Sequence, residues 1–200
     1  MNFGPVLRRI RAVRRLKQQA VADLVGVTQA TVSRWENGDL APSGDQRRRL
    51  LRLLHSSATL GSDHGLRRLV ETSPLRVHLV CDITHRLLAA SPAREAEWHS
   101  DARTWEGRSL YRFATEEIRA AEARLDDCGW FEGRVPGAYF WTGASEPGTA
   151  ISIQQGYCLW ERLTLNDGSP VRMATTLGPD AVSASVLNSF VDLRGPASPV

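Results

Sequence analysis

Lysine is all but missing from this chain. Lys17 is the only one in 200 residues, against 24 arginines, so no serine–lysine pair of nucleophile and base can be built beyond residue 17. Cysteine is scarce as well. Cys81, Cys128 and Cys158 are odd in number, widely spaced and form no CxxC pair, which argues against a disulfide framework or a zinc ribbon. No apolar run approaches the ~18 residues of a membrane span. The N-terminus, MNFGPVLRRIRAVRR, has charges but no apolar stretch behind them, and does not read as a secretory signal. Neither a GxxxxGKS/T nor a GxGxxG phosphate loop occurs, and no internal repeat. These absences lead us to expect a cytoplasmic protein without membrane contact, cofactor, metal or enzymatic activity.

Charge is present, and it is unevenly spread. Residues 1–54 carry eleven basic against four acidic side chains, a net +7, while the other 146 residues come to −4. A basic quarter joined to a mildly acidic remainder suggests a polyanion-binding module carried by something else. The polar stretch SSATLGSDHG divides the two. We therefore expect domains over 1–55 and 66–190, a linker over 56–65 and a disordered tail over 191–200.

The first module reads as all-α. Val6, Leu7, Ile10, Val13 and Leu16 recur at helical spacing behind Pro5. A second short helix, Gln18 to Val25, carries Val21, Ala22 and Leu24 inward and stops at Gly26. Thr28 suits the N-cap of a third helix, which Gly38 ends and Pro42 keeps from resuming. Ser43 and Gln46 have capping-box spacing for a fourth helix with Leu50, Leu51, Leu53 and Leu54. Two short helices joined by a Gly-Val turn fit a helix-turn-helix.

Its third helix presents polar side chains suited to duplex DNA. Thr28, Gln29, Ala30, Ser33 and Arg34 lie at its leading end or on one face, where Gln29 can pair with adenine, Arg34 can grip guanine and the Ala30 methyl can meet thymine. Gln18, Thr31 and Asn37 are placed for phosphates, which position a protein without reading sequence. Glu36 would repel phosphate, so it reads as the partner of an arginine within the protein. The string VADLVGVTQATVSRWENGDLAPS resembles the helix-turn-helix of the Xre-type (Cro/C1-like) regulators. Lys17-Gln18 stands where that family often has Ser-Gln, so the amide is kept and the serine cap is lost.

The second module alternates. VHLVCDI and HRLLAAS read as two strands, Ser91-Pro92 opens a helix ending near Trp98, and Thr115 caps a longer helix with Ile118, Ala121 and Leu125 on one stripe. AYFWTG, ISIQQGYCLWERLTL and PVRMATTL follow as strands, the last two joined by a turn at Asn166-Asp167-Gly168. Strand, strand, helices, then three antiparallel strands is similar to a PAS-type sensor domain. The resemblance implies an α+β PAS-like fold with an antiparallel sheet, which takes a small molecule between sheet and helices or serves for dimerisation.

Single residues in this module have ordinary readings. His78, His85 and His99 are too scattered for the paired histidines of a cupin, and no cysteine has the Asn-Cys-Arg context of a flavin photosensor. His78 or His85 could ligate haem, but a histidine on a strand is more often structural. Cys81 and Cys158 sit in apolar runs, as small buried hydrophobes.

The sequence thus predicts a two-domain transcriptional regulator that binds a pseudo-palindromic operator in double-stranded DNA as a homodimer. A small-molecule effector or regulatory protein would act at residues 66–190. Two alternatives stay open: a DNA-tethered protein-interaction adaptor, and a haem- or flavin-dependent sensor.

Overall fold

The computed structural model describes residues 3–46, 49–50, 60–177 and 190–193. The chain forms two compact units, residues 1–57 with 131–133 and residues 58–130 with 134–200. Leu51, Leu53, Leu54, Arg47, Arg48, the first part of the expected linker (56–59) and residues 194–200 of the expected tail lie outside the described residues; the start of that tail is ordered instead, with Val191 and Asp192 in a strand and Leu193 buried.

In the first unit α1 (Phe3–Val13), α2 (Gln18–Val25) and α3 (Gln29–Asn37) enclose Leu7, Val21, Ala22, Val25, Val32, Trp35 and Leu50. Gly26 ends α2 with φ 76°, a left-handed conformation that glycine enters without strain. The Thr31 N–H then donates to Thr28 Oγ1 (3.2 Å), capping α3 as expected. Lys17 stands at the head of α2 and makes no capping bond. At the fourth helix the capping box closes both ways. Ser43 N–H donates to Gln46 Oε1 (2.8 Å), and Gln46 N–H donates to Ser43 Oγ (3.4 Å). α1 crosses α3 closely enough that a Cβ on Gly4 would lie 2.5 Å from the Trp35 carbonyl oxygen and 2.7 Å from that of Glu36.

One core expectation fails here. Leu24 is 56% exposed, and Val25 is buried in its place. At about 100° per residue, Val21, Ala22 and Val25 share one arc of about 100°, and Leu24 falls about 60° beyond its edge.

In the second unit α4 (His64–Glu71) precedes β1 (Arg76–Cys81), β2 (Leu87–Ala90) and α5 (Pro92–Trp98). Two 3₁₀ turns (Ala102–Thr104, Tyr111–Phe113) and α6 (Glu116–Ala123) lead to β3 (Gly137–Trp141), β4 (Tyr157–Thr164), β5 (Pro170–Leu177) and β6 (Val191–Asp192). The strand order is β2-β1-β5-β4-β3-β6. β1 to β5 pair antiparallel, as expected. The sheet is nonetheless mixed, which corrects the expectation of a purely antiparallel one: β6 runs parallel beside β3, with Ala138 opposite Val191. Two residues are too few to show an alternating pattern, so β6 left no trace in the sequence.

Alternation along the strands gives the sheet two apolar faces. One, with Val77, Leu79, Leu165 and Val171, packs against Leu60 and Val70. Within residues 60–65, expected in the linker, Leu60 is buried and Asp63 accepts a bond from Asn166 N–H (3.2 Å). The other face, with Val80, Leu87 and Ala90, packs against Trp98, Trp105 and Ile151. Ser91 caps α5, its Oγ accepting from Arg94 N–H (3.2 Å) and Val77 N–H (3.2 Å). The Asn166–Gly168 turn joins β4 to β5 as expected, although β4 begins only at Tyr157 and α6 stops at Ala123.

Candidate functional site

The outer face of α3 is where the sequence placed DNA contacts. Gln29, Ala30, Ser33, Arg34 and Asn37 fall at i, i+1, i+4, i+5 and i+8, one side of the helix, while Val32 and Trp35 on the other are buried. Thr28, Gln29, Ala30, Arg34 and Asn37 are exposed; Ser33, Thr31 and Gln18 are half-buried. Thr31 shares a hydroxyl hydrogen bond with Thr28 (2.9 Å). Arg8 donates to Asn37 Oδ1 (3.4 Å).

Beneath this face lies a polar lock. Arg11 Nε–H and Nη2–H donate to the two oxygens of buried Glu36 (2.8 and 3.1 Å), so Glu36 is the internal partner that phosphate repulsion predicted. The hydrogen bond from Glu36 holds the Arg11 guanidinium above its ordinary pKa. Gln18 Nε2–H donates to Glu36 Oε2 (2.8 Å), and Gln18 Oε1 accepts from Gln29 Nε2 (2.6 Å). Head of α2, head of α3 and tail of α3 are thereby joined through side chains. Arg8 adds a bond to the Glu36 carbonyl (3.1 Å). The Gln18 amide has a second proton, so a phosphate can still be met there.

The second unit contains a cavity of about 100 Å³ between the sheet and the segments packed on it. His78, Ala174, Trp160, Cys158 and Phe140 form its floor; Trp98, Phe113, Ile118, Ile151 and Ile153 close it. A haem or flavin needs several times that space, since ligand pockets run about 300–1,000 Å³. The two histidines considered for haem both pack against aromatic rings. His78 lies edge-on to Trp98 (5.2 Å between rings), while His85 stacks on Tyr111 (4.8 Å) with Nε2 3.1 Å from Glu122. Among the described residues no group of three His, Cys, Asp or Glu could hold a metal ion, and no helix is long and apolar enough to cross a membrane.

One wall of the cavity is ionic, which the sequence did not announce. Arg172 Nε–H donates to Asp82 Oδ1 (2.7 Å) and Nη1–H to Glu122 Oε2 (2.6 Å); all three are buried. Trp130 Nε1–H donates to Asp82 Oδ2 (2.8 Å), and the guanidinium lies 4.2 Å over the Trp160 ring. Burial alone would raise the Glu122 carboxyl, but Arg172 and His85 outweigh it and hold it well below the usual range. Burial likewise opposes the Arg172 charge, and its two carboxylates reverse that. Arg94 donates to Glu97 (2.9 Å), the Arg76 carbonyl (2.6 Å) and Thr176 Oγ1 (2.8 Å). Burial, then Arg94 and Arg172, push His78 well below its ordinary pKa, so it is neutral at pH 7. Burial pushes the Cys158 thiol up to about 12, which makes it an inert hydrophobe rather than a redox sensor.

Several known proteins share features with the chain. No curated protein matches it. The PAS domain of an HTR-like protein from Haloarcula marismortui superposes with 19% identity over 66% of this chain and 98% of its own, at a TM-score of 0.42. The PAS domain of Bordetella pertussis BvgS gives 11% identity over 64% of this chain and 92% of its own, at a TM-score of 0.38. An RNA-binding light-oxygen-voltage receptor gives 10% identity over 88% of this chain and 59% of its own, at a TM-score of 0.43. Residues 2–60 match the family model described as a helix-turn-helix domain, the region that α1 to α3 occupy.

Proposed function

We propose that the chain is a cytoplasmic, non-enzymatic transcription regulator that binds a pseudo-palindromic operator as a homodimer and responds to a small molecule held in its PAS-like unit. The observation that carries this reading is the outward polar face of α3 braced from below by Glu36, Arg11 and Gln18. A helix that enters a major groove needs its side chains at a fixed depth and angle, and the lock supplies that. Thr28, Gln29, Ala30, Ser33 and Arg34 read bases; Gln18, Thr31 and Asn37 hold phosphates. Arg11, engaged with Glu36, acts on binding through the placement of α3 rather than as a phosphate contact.

One short recognition helix touches too few base pairs for useful specificity, which is the argument for a dimer and two half-sites. The test is selection of bound duplexes from a random library by the full chain at a stated salt concentration. The reading expects enrichment of an inverted repeat with half-sites about one helical turn apart. Salt-sensitive binding with no enriched sequence would overturn it in favour of a DNA-tethered adaptor.

A further inference from the structure

We propose that the cavity of the second unit takes up a small neutral aromatic compound of one ring carrying one oxygen, a phenol in the simplest case, with that oxygen placed on His78 and Arg94. The inference rests on the sensory role proposed above and names the class of ligand for that same site.

Size narrows the choice. About 100 Å³ is two-thirds of the roughly 150 Å³ of an engineered apolar cavity that binds benzene, so the space is on the scale of one six-membered ring. The hollow has a definite origin in the sheet register. His78 on β1 stands opposite Ala174 on β5, which stands opposite Trp160 on β4, so the smallest side chain of the row lies between two rings. The walls above are apolar, with the rings of Trp98 and Phe113 among three isoleucines, and they suit a flat ring.

Two polar atoms define the ligand's oxygen. His78 Nδ1 and Arg94 Nε are buried without a hydrogen-bond partner, and both residues line the cavity. Two further lining atoms lack a hydrogen bond but have a carboxylate beside them, His85 Nε2 at Glu122 and Arg172 Nη2 at Asp82, so His78 Nδ1 and Arg94 Nε are the two left for an oxygen. The Arg94 Nε–H is a donor, and neutral imidazole presents Nδ1 as donor or acceptor according to tautomer, so a hydroxyl satisfies both. Burial, then Arg94 and Arg172, oppose protonation of His78, so the imidazole meets the ligand's oxygen in its neutral form. A full negative charge is a different matter. Arg172 already has Asp82 and Glu122, and Arg94 has Glu97, so a carboxylate ligand would add an unpaired charge to a largely apolar site.

The full chain is titrated, without DNA, with phenol, with toluene of the same shape and with benzoate, and followed by calorimetry and tryptophan fluorescence. Phenol should bind about tenfold more tightly than toluene, the worth of one hydrogen bond, and benzoate more weakly than either. His78→Leu should erase the preference for phenol and keep toluene binding. Ala174→Leu fills the hollow and should abolish both while the thermal transition is retained, so it decides the matter if His78→Leu does not fold. Wild-type protein that binds no phenol, a preference that survives His78→Leu, or phenol binding that survives Ala174→Leu would each overturn the proposal. Since these titrations contain no DNA, failed duplex selection with the phenol preference intact would sink the regulator reading and leave the cavity assignment standing; the reverse result would do the opposite.

Discussion

Each unit of the chain buries carboxylate against arginine, and the two do it on different terms. In the first, Arg11 keeps about a quarter of its side chain (24%) in solvent while Glu36 is sealed, and every member of the lock lies between residues 8 and 36. In the second, Arg172 is itself sealed (2%), and its partners come from positions 82 and 122. A half-open pair is screened and contributes little to stability, so its consequence is the placement of α3. A sealed cluster has no water to fall back on, and removing one member strands charge in the interior. The first therefore bears on the placement of α3, and the second on whether sheet and helices stay together.

The widest separation between them is expected from Arg172→Met, which leaves Asp82 buried without a cation and Glu122 with His85 alone. In urea unfolding of the full chain it should remove about 3–5 kcal/mol from the second unit and leave the first unchanged. A loss below about 1 kcal/mol would contradict the sealed-cluster description. Next comes Gly4→Val, which drives a side chain into the Trp35 and Glu36 carbonyls and should destabilise the first unit by about 1–3 kcal/mol or more.

Acidity should affect the second unit with a definite sign. Glu122 binds its proton less readily folded than unfolded, so its contribution is present above the unfolded value of 4.5 and is lost as pH falls below it. The urea midpoint of the second unit should drop between pH 5 and pH 3 in wild type, and Glu122→Gln should flatten that drop. The smallest stability change belongs to Glu36→Gln, about 1 kcal/mol. Its effect on DNA affinity should be larger than its effect on the unfolding of the first unit, because the lock serves placement.

These two clusters also mark how far the sequence could be read. Glu36, Thr28, Gly26 and the Ser43–Gln46 box were legible because caps, turn glycine and repelled carboxylate act over a few residues. The strand–strand–helix–three-strand order was legible because alternation and the Asn-Asp-Gly turn are local too. Leu24 misled because a two-turn helix leaves its apolar arc uncertain by one residue. Helix α4 was lost in a stretch whose start, Asp63-His64-Gly65, has no capping bond and reads as a loop. The PAS resemblance implied a ligand space between sheet and helices, but its lining and the ionic wall could not be read from local pattern. Arg172 meets Asp82 across 90 positions, and the hollow beside His78 exists only once the register sets Ala174 opposite it. Each of those residues has an unremarkable local context.

The central claim is that α3 reads base sequence through Arg34 and its neighbours. It is met most directly by measuring the full chain's affinity for its selected operator and for every single-base variant, with wild type and with Arg34→Ala. The expected result is that Arg34→Ala flattens the preference at one base pair of each half-site, about 1–3 kcal/mol of discrimination, with the salt dependence nearly unchanged. An unaltered base preference, with affinity lowered evenly across all variants, would contradict it and return Arg34 to the phosphate contacts.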